Sequence, residues 1–292
     1  MSAAVGPGPP TDGVVARPVA ARRPRAFALV CAFAGVALCV VVVLPLVGLF
    51  GQTGVSGLRD AVQDGEVMRS LVLTLGAALV ATAIALVLGI PFAYLLARQP
   101  FPGRGIVESV IDLPVVLPHT AAGIALLTVY GQEGIAGRLF APLGIVFTDS
   151  FAGIVAAMLF VSLPFLVGAT RQAFVAVDPR YEGVARTLGA SPVRAFATVA
   201  LPMAWRGVLG GALMMWARGI SEFGAVVILA YNPKVVPVLV FERFEGFGLE
   251  AALPAAALIA LVALILFTGV RFLLAWRRRG SAQERTGARW WW

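Results

Sequence analysis

The sequence contains very little lysine, histidine, cysteine or acid. Lys234 is the one lysine and His119 the one histidine among 292 residues, and aspartate plus glutamate number 15. A lone histidine is a poor metal site, because structural zinc needs about four ligands, so no metal site is predicted. Charged residues make up 13% of the chain and hydrophobic residues 60%, with a mean hydropathy of +0.91. Soluble domains carry about 25% charged residues, so this composition indicates a protein surrounded by lipid.

The chain also lacks the patterns that bind nucleotides or carry out catalysis. Lys234 follows a proline and belongs to no Gly-x-x-x-x-Gly-Lys-Ser/Thr motif, so a P-loop is excluded. No plausible Ser/His/Asp arrangement is present, and Cys31 and Cys39 share one apolar run as packing residues. The net charge of +8 could serve nucleic acid or anionic lipid. Arginines crowd at the ends of apolar runs, which favours lipid. We therefore predict no enzyme, no cofactor in this chain and no nucleic-acid partner.

Six apolar segments approach the roughly 20 residues needed to cross a bilayer. Their approximate ranges are 27–50, 68–97, 106–130, 152–174, 208–231 and 253–276. Pro91 in the second segment and Pro114 and Pro118 in the third predict kinked or broken helices there. The sequence thus predicts an all-α membrane protein with a disordered N-terminal tail (1–25), a transmembrane domain (26–276) and a basic C-terminal tail (277–292).

Arginine-rich and arginine-poor loops alternate along the chain. The N-terminal tail, the turn after segment two, the stretch after segment four and the C-terminus are basic, whereas the other loops mix arginine or lysine with several acids. Cytoplasmic loops carry the excess of positive charge. Six spans with both termini in the cytoplasm preserve this alternation, in a multi-pass protein of the cell (cytoplasmic or inner) membrane.

The polar stretch between segments four and five predicts a helix, a sharp turn and a second helix at the cytoplasmic surface. Asp178 can begin the first helix, and Gly189 can end it with a left-handed residue. Ser191 can cap the second helix, with Pro192 at its first position. Pro202 is expected to break the chain at the membrane face. This shape suits docking against a soluble partner.

This stretch resembles the cytoplasmic signature loop of binding-protein-dependent ABC importer permeases. The family pattern is Glu-Ala-Ala, three residues, Gly, nine residues, Ile, one residue, Leu-Pro. The matching residues here are Val184, Ala185, Gly189, Val199, Leu201 and Pro202. The pattern's Glu falls on Gly183, and the acid stands one residue earlier, at Glu182.

The resemblance implies a type I ABC importer permease fold, with a coupling helix between spans four and five that inserts into an ATPase subunit. It implies that the segment from Glu182 through Ala190 to Ser191 transmits ATPase closure to the spans. The implied partners are a dimer of ABC ATPase subunits holding ATP and magnesium, an extracytoplasmic oxyanion-binding protein, a second copy of this chain and the lipid bilayer. The structural alternative is an ordinary surface hairpin.

A second stretch is similar to permeases of the molybdate/tungstate group. It runs from Trp216 through Ser221-Glu222-Phe223-Gly224 to Lys234 and continues to Arg243. The resemblance, over roughly residues 68–275, implies molybdate or tungstate import. Two alternatives remain: a sulfate/thiosulfate permease of the same class, and an ion-coupled secondary transporter, which would need midplane ion ligands.

A few polar residues fall inside the apolar segments. Arg218 and Glu222 lie near the middle of segment five and, four residues apart, share a helix face and can pair. With Ser221 they form either a lining or gate of the translocation path or a structural ion pair. His119 and Thr120 follow a proline and are either pore or packing residues.

The glycines that open segment five suggest a tight helix contact. Gly207 and Gly211 form a Gly-x-x-x-Gly pattern. Such a pattern permits close approach, within the subunit or across a dimer.

Overall fold

The structure is a computed structural model that describes the backbone of residues 25–287 and the side chains of residues 27–269. Every element assigned between residues 25 and 287 is helical. The chain divides into two units, Met1–Gly51 and Gln52–Trp292. The first contributes an apolar helical segment, and all packing described below lies within the second.

Twelve α-helices follow one another along the described chain. They are α1 (Arg25–Gln63), α2 (Gly65–Arg98), α3 (Arg104–Val116), α4 (His119–Tyr130), α5 (Ile135–Phe140), α6 (Phe151–Val175), α7 (Pro179–Thr187), α8 (Pro192–Ala195), α9 (Leu201–Ile220), α10 (Gly224–Leu229), α11 (Val236–Phe247) and α12 (Leu249–Gly287). A short 3₁₀ turn, Ala141–Leu143, follows α5, and a π-helical turn, Phe196–Ala200, joins α8 to α9.

The predicted number of spans is confirmed. Five described helices are long and apolar enough to cross a membrane, and the α3–α4 pair makes a sixth if its two parts count as one span. The two parts of that pair are bent by 116°. The bend falls at Leu117 and Pro118, whose backbones are extended, so the predicted break in segment three is confirmed. In segment two, by contrast, α2 continues through Pro91 without a break.

The fifth span differs from the single helix predicted over 208–231. The helix ends at Ile220, and a separate short helix, α10, begins at Gly224. Two polar side chains make this break: Ser221 Oγ donates to the carbonyl of Arg218 (3.0 Å), and Glu222 Oε1 accepts from the N–H of Ala225 (2.9 Å). Such local bonds compete with helix continuation. Glu222 therefore lies just beyond the end of α9 and not in mid-helix.

The predicted break at Pro202 is wrong. The helix continues from Pro192 to Ile220 as one apolar span, and Pro202 is the second residue of α9 within it. The π-helical turn before it explains why: Leu201 N–H bonds back to the carbonyl of Phe196, five residues earlier. The wider turn relieves the clash that a proline ring makes in a regular α-helix.

The core consists of α2, α6 and α9 packed through small side chains. Its buried positions include many alanines: Ala77, Ala78, Ala81, Ala85, Ala157 and Ala212. Small residues let membrane helices approach closely where a hydrophobic driving force between them is weak. Trp216 of α9 adds a polar link, because its indole N–H donates to the carbonyl of Leu75 in α2 (3.3 Å).

The Gly-x-x-x-Gly contact of α9 lies within the subunit, against α6. A Cβ added at Gly207 would lie 2.3 Å from the Cβ of Ala173, and one at Gly211 would lie 3.0 Å from the Cβ of Ala169. A Cβ at the neighbouring Gly210 would meet nothing within 4 Å. The sequence left open whether this pattern makes a contact within the subunit or across a dimer. In the structure the contact lies within the subunit.

Gly207→Ala is expected to destabilise the permease by about 1–3 kcal/mol, because overpacking a tight helix contact forces backbone shifts. The matched control, Gly210→Ala, should leave the stability of the protein unchanged or slightly raised. The thermal unfolding midpoint of each variant is measured in detergent, with tryptophan fluorescence as the signal. Equal midpoints for the two variants would contradict the packing described here.

The last helix extends further than predicted. Segment six was expected to end at residue 276, with a tail behind it, but α12 continues to Gly287. Residues 277–287 of the predicted C-terminal tail are therefore helical in backbone. The predicted N-terminal tail up to residue 24, and residues 288–292, lie outside the described part of the chain.

Candidate functional site: a capped hairpin and a polar helix break

The hairpin between α6 and α9 forms as its sequence predicts. Asp178 caps α7 by accepting from the N–H of Arg180 (2.9 Å), and Ser191 caps α8 by accepting from the N–H of Arg194 (3.3 Å). Gly189 ends α7 with φ +91°. Its N–H bonds to Arg186 O and that of Ala190 bonds to Ala185 O, both at 3.0 Å. These paired bonds are the Schellman motif, which needs a glycine at the left-handed position.

The acidic residue of the hairpin, Glu182, points inward to the end of α2. Arg98 Nε donates to Glu182 Oε1 (2.9 Å), Arg98 Nη2 lies 2.7 Å from the same oxygen, and Tyr94 donates to Oε2. Arg98 Nη2 also donates to the carbonyl of Val177 at the end of α6 (2.9 Å). The side chains of Arg98 and Glu182 are only 11% and 10% exposed. We call Tyr94, Arg98 and Glu182 the clamp.

Aromatic packing extends the clamp to the other elements of the hairpin. The ring of Tyr94 makes edge contacts with Phe174 of α6 (centroids 5.2 Å apart) and with Phe196 of the π turn (4.7 Å). Phe174 is fully buried. The hairpin is thus held to α2, α6 and the start of α9 by charge, hydrogen bonds and ring packing together.

The outer face of the hairpin is apolar. Tyr181 and Val184 of α7 and Leu188 directly after it follow helical spacing on one face and are 55%, 59% and 84% exposed. We call these three residues the apolar stripe. Exposed apolar residues that cluster on one surface mark interaction sites more often than those scattered singly.

The remaining residues of the predicted coupling segment surround this stripe. Gly183 is exposed and lines a cavity of about 490 Å³ between α7 and the end of α2. Ala185 and Leu201 are partly buried, and Pro202 is exposed at the start of α9.

At the other end of α9, the two broken spans meet. His119 is the first residue of α4, directly after the 116° bend, and Gly224 is the first residue of α10. A Cβ added to Gly224 would lie 2.6 Å from the Cβ of His119 and 3.3 Å from the N atom of Thr120. Glycine is therefore required here for the two helices to approach. With a rise of 1.5 Å per residue, α9 separates this point from the hairpin by about 30 Å.

Three ionisable side chains gather at this meeting point. Arg218 Nη2 lies 2.9 Å from Glu222 Oε2 and 2.7 Å from His119 Nε2, and His119 Nδ1 lies 3.7 Å from the same carboxylate oxygen. The predicted pairing of Arg218 with Glu222 is thus present. The carboxylate oxygen lies off the direction of the guanidinium N–H bonds, so the contact is an ion pair without an aligned hydrogen bond. We call His119, Arg218 and Glu222 the triad.

The structure therefore brings together the residues predicted to line the translocation path. Ser221 and Thr120 lie at the edge of the triad. Ser221 accepts from Arg218 Nη1 at 3.3 Å, whereas Thr120 is exposed beside His119.

A separate charged network lies at the start of α2, at the end of that helix remote from the hairpin. Arg243 donates to Asp64 Oδ2 (2.7 Å) and Glu66 Oε2 (3.1 Å), and Lys234 donates to Glu242 Oε1 (2.7 Å). Burial raises the pKa of Asp64, but hydrogen bonds from Arg243 and two backbone N–H groups hold that pKa below its ordinary 3.8. The hydrogen bond to Glu242 raises the pKa of Lys234. These loops are therefore fixed by paired charges.

Sequence reasoning missed Arg98 and Tyr94. Their partner, Glu182, is 84 residues from Arg98 and 88 from Tyr94, so no local pattern points to the clamp. The apolar stripe was also overlooked, although the spacing of Tyr181, Val184 and Leu188 could have revealed it.

Comparison with known proteins places these features in a family. The sequence profile described as "Binding-protein-dependent transport system inner membrane component" matches residues 85–280. A protein of Thermococcus kodakarensis named "Molybdate/tungstate transport system permease protein WtpB" is 40% identical over 242 residues, covering 82% of this chain and 93% of the relative. The "Sulfate transport system permease protein CysT" of Synechocystis is 34% identical over 83% of this chain and 87% of its own.

Solved structures of other proteins share this fold. A chain of a bacterial ABC transporter "involved in the import of the acidic polysaccharide alginate" superimposes with a TM-score of 0.67, covering 86% of this chain and 96% of that one, at 16% identity. That likeness concerns the fold alone. Family profile, relatives and fold agree: the chain belongs to the inner membrane components of binding-protein-dependent transport systems and has the fold of an ABC transporter permease.

Proposed function

We propose that this chain is the permease subunit of an ATP-driven importer, and that two copies form one pathway. The apolar stripe is the observation that carries the proposal. It sits on a hairpin with exposed Arg186 and Arg194, a composition typical of the cytoplasmic side. An apolar surface held rigidly among arginines at that side is suited to insertion into a soluble partner.

The partner at the hairpin is an ATPase. The sequence contains no P-loop, so we place ATP and magnesium on separate ATPase subunits, two of which dock beneath the permease dimer. Membership of a family of transport components makes the chain a transport subunit and not an enzyme. Closure of the ATPase dimer moves the two hairpins together, and ATP supplies the energy because it binds the closed state better.

The opposite face receives the binding protein. The family is defined by dependence on such a protein, and a solved transporter of similar fold is described "in complex with alginate pentasaccharide-bound periplasmic protein". We place this contact on the paired-charge network at Asp64, Lys234 and Arg243. With the hairpin inside and this network outside, both termini lie in the cytoplasm.

The cargo is molybdate or tungstate. Several archaeal relatives that carry this name share 39–41% identity with the chain. Sulfate is the second candidate, because sulfate permeases are 32–34% identical. The triad, with Ser221 and Thr120, lines or gates the path, since broken helices with polar residues inside a membrane are where transporters handle their substrates.

Reconstitution tests this proposal. The chain and its ATPase partner are reconstituted into liposomes, the oxyanion-binding protein is added, and uptake of molybdate, tungstate and sulfate is measured with and without ATP. We expect ATP-dependent uptake of molybdate and tungstate that sulfate inhibits weakly. Uptake of sulfate alone would favour the second candidate. Undiminished uptake in the absence of the ATPase would refute the ATP-driven mechanism.

A further inference from the structure

The triad hides its carboxylate and leaves its guanidinium and imidazole partly exposed. His119 and Arg218 side chains are 44% and 21% exposed, whereas the Glu222 side chain is 1% exposed. An anion approaching from the open side therefore meets the guanidinium, the imidazole and the hydroxyl of Thr120 before the carboxylate. The arrangement removes the repulsion that an intramembrane glutamate would otherwise exert on an anionic cargo.

The groups in front are chemically suited to a tetrahedral oxyanion. The guanidinium binds such anions with two parallel N–H groups. Helix α4 begins at His119 of the triad, and its first N–H groups precede the first bond of that helix, from Ala122 N–H to Pro118 O. These N–H groups and the positive end of a twelve-residue helix add to the attraction for an anion.

Glu222 is anchored by a bond that does not depend on Arg218. Its Oε1 atom is held by the N–H of Ala225 (2.9 Å), at the start of α10, and this bond does not involve Arg218. The contact with Arg218 uses the other oxygen, which has no aligned hydrogen bond. Arg218 is therefore the movable partner, whereas Glu222 is anchored.

We propose that Arg218 and His119 form a transit site for a tetrahedral dianion. In the empty site Glu222 is the counter-ion of Arg218, and the cargo displaces this carboxylate when it binds. This inference rests on the proposed function. Because the carboxylate competes for Arg218, the dianion binds weakly and leaves soon. Conduction needs such a balance between binding and release.

Two variants test the site: one leaves Arg218 charged without its counter-ion, and the other removes both charges. Glu222→Gln removes the competing charge while its amide oxygen can still accept from Ala225. The double variant Arg218→Gln with Glu222→Gln removes both charges of the pair. The matched control is Arg104→Gln with Glu108→Gln, a second ion pair at the same i,i+4 spacing, 2.9 Å apart and outside the triad, in which Glu108 also lies 3.4 Å from Arg171.

Binding is measured directly on the permease–ATPase complex in detergent, without the binding protein, by equilibrium dialysis of radiolabelled tungstate and sulfate. We expect Glu222→Gln to tighten binding of at least one anion about tenfold, because a competing charged pair is gone, and to slow its import. The double variant should bind neither anion measurably, and the control should match the wild type.

Unchanged binding in Glu222→Gln, or wild-type import by the double variant, would show that the triad is a structural ion pair and would overturn the inference. The binding measurement requires no transport. A wild type that binds tungstate or sulfate in this way but fails to import either would contradict the proposed function alone.

Discussion

Arg98→Gln is expected to lower the amount of cargo imported per ATP hydrolysed by about tenfold or more. Arg98 and Glu182 are both nearly buried, and removing one partner of a buried ion pair costs about 3–5 kcal/mol. The end of α2 then loses its charged link to α7 and to Val177. Movement of the hairpin would no longer be transmitted to α2, while the apolar stripe would still engage the ATPase.

The measurement compares import with ATP hydrolysis in the same proteoliposomes, together with co-purification of the ATPase. The charge-exchanged variant, Arg98→Glu with Glu182→Arg, should recover part of the lost coupling. Arg138→Gln is the control: its partner Glu133 lies 2.6 Å away, but the two side chains are 68% and 91% exposed, and such surface pairs contribute little. Normal import per ATP in Arg98→Gln would contradict the role given to the clamp.

Leu188→Asp is expected to weaken association of the permease with its ATPase by about 30-fold or more. Leu188 is the most exposed member of the apolar stripe, at 84%. An apolar side chain that anchors an interface is worth about 2 kcal/mol or more, and an aspartate would add a desolvated charge. Because Leu188 is exposed, folding of the permease should be unaffected.

Co-purification in detergent and the rate of ATP hydrolysis by the complex measure this effect. Leu143→Asp is the matched control, since Leu143 is 70% exposed and lies on the short turn after α5, away from the hairpin. Loss of ATPase association in both variants would indicate general damage. Retention in Leu188→Asp would mean that the stripe is not the docking surface.

Local features of the hairpin were predictable because they depend on residues close in sequence. Asp178, Ser191 and Gly189 act through bonds to neighbours at most a few positions away. Capping and left-handed glycine are the strongest of such local signals. The break predicted at Pro202 shows where this reasoning fails. The turn before Pro202 is wider by one residue, and no simple sequence pattern predicts a π turn.

The break in span five shows a similar limit. Apolar periodicity continues from 208 to 231, so hydropathy predicted one helix. The bonds from Ser221 and Glu222 to nearby backbone groups end α9 and start α10 instead. Hydropathy averages over a window of residues and does not register two polar side chains that rearrange the backbone.

By itself, the sequence determined the lipid environment, the number of spans, the capped hairpin and the family resemblance, because each depends on composition or on short spacing. Only the tertiary structure decided that Glu182 faces Arg98, that Gly207 packs on α6, and that His119 meets Arg218 and Glu222. Those pairs are far apart in the chain, 99 residues in the case of His119 and Arg218. Their meeting depends on how α2, α4, α6 and α9 pack together, which no local pattern encodes.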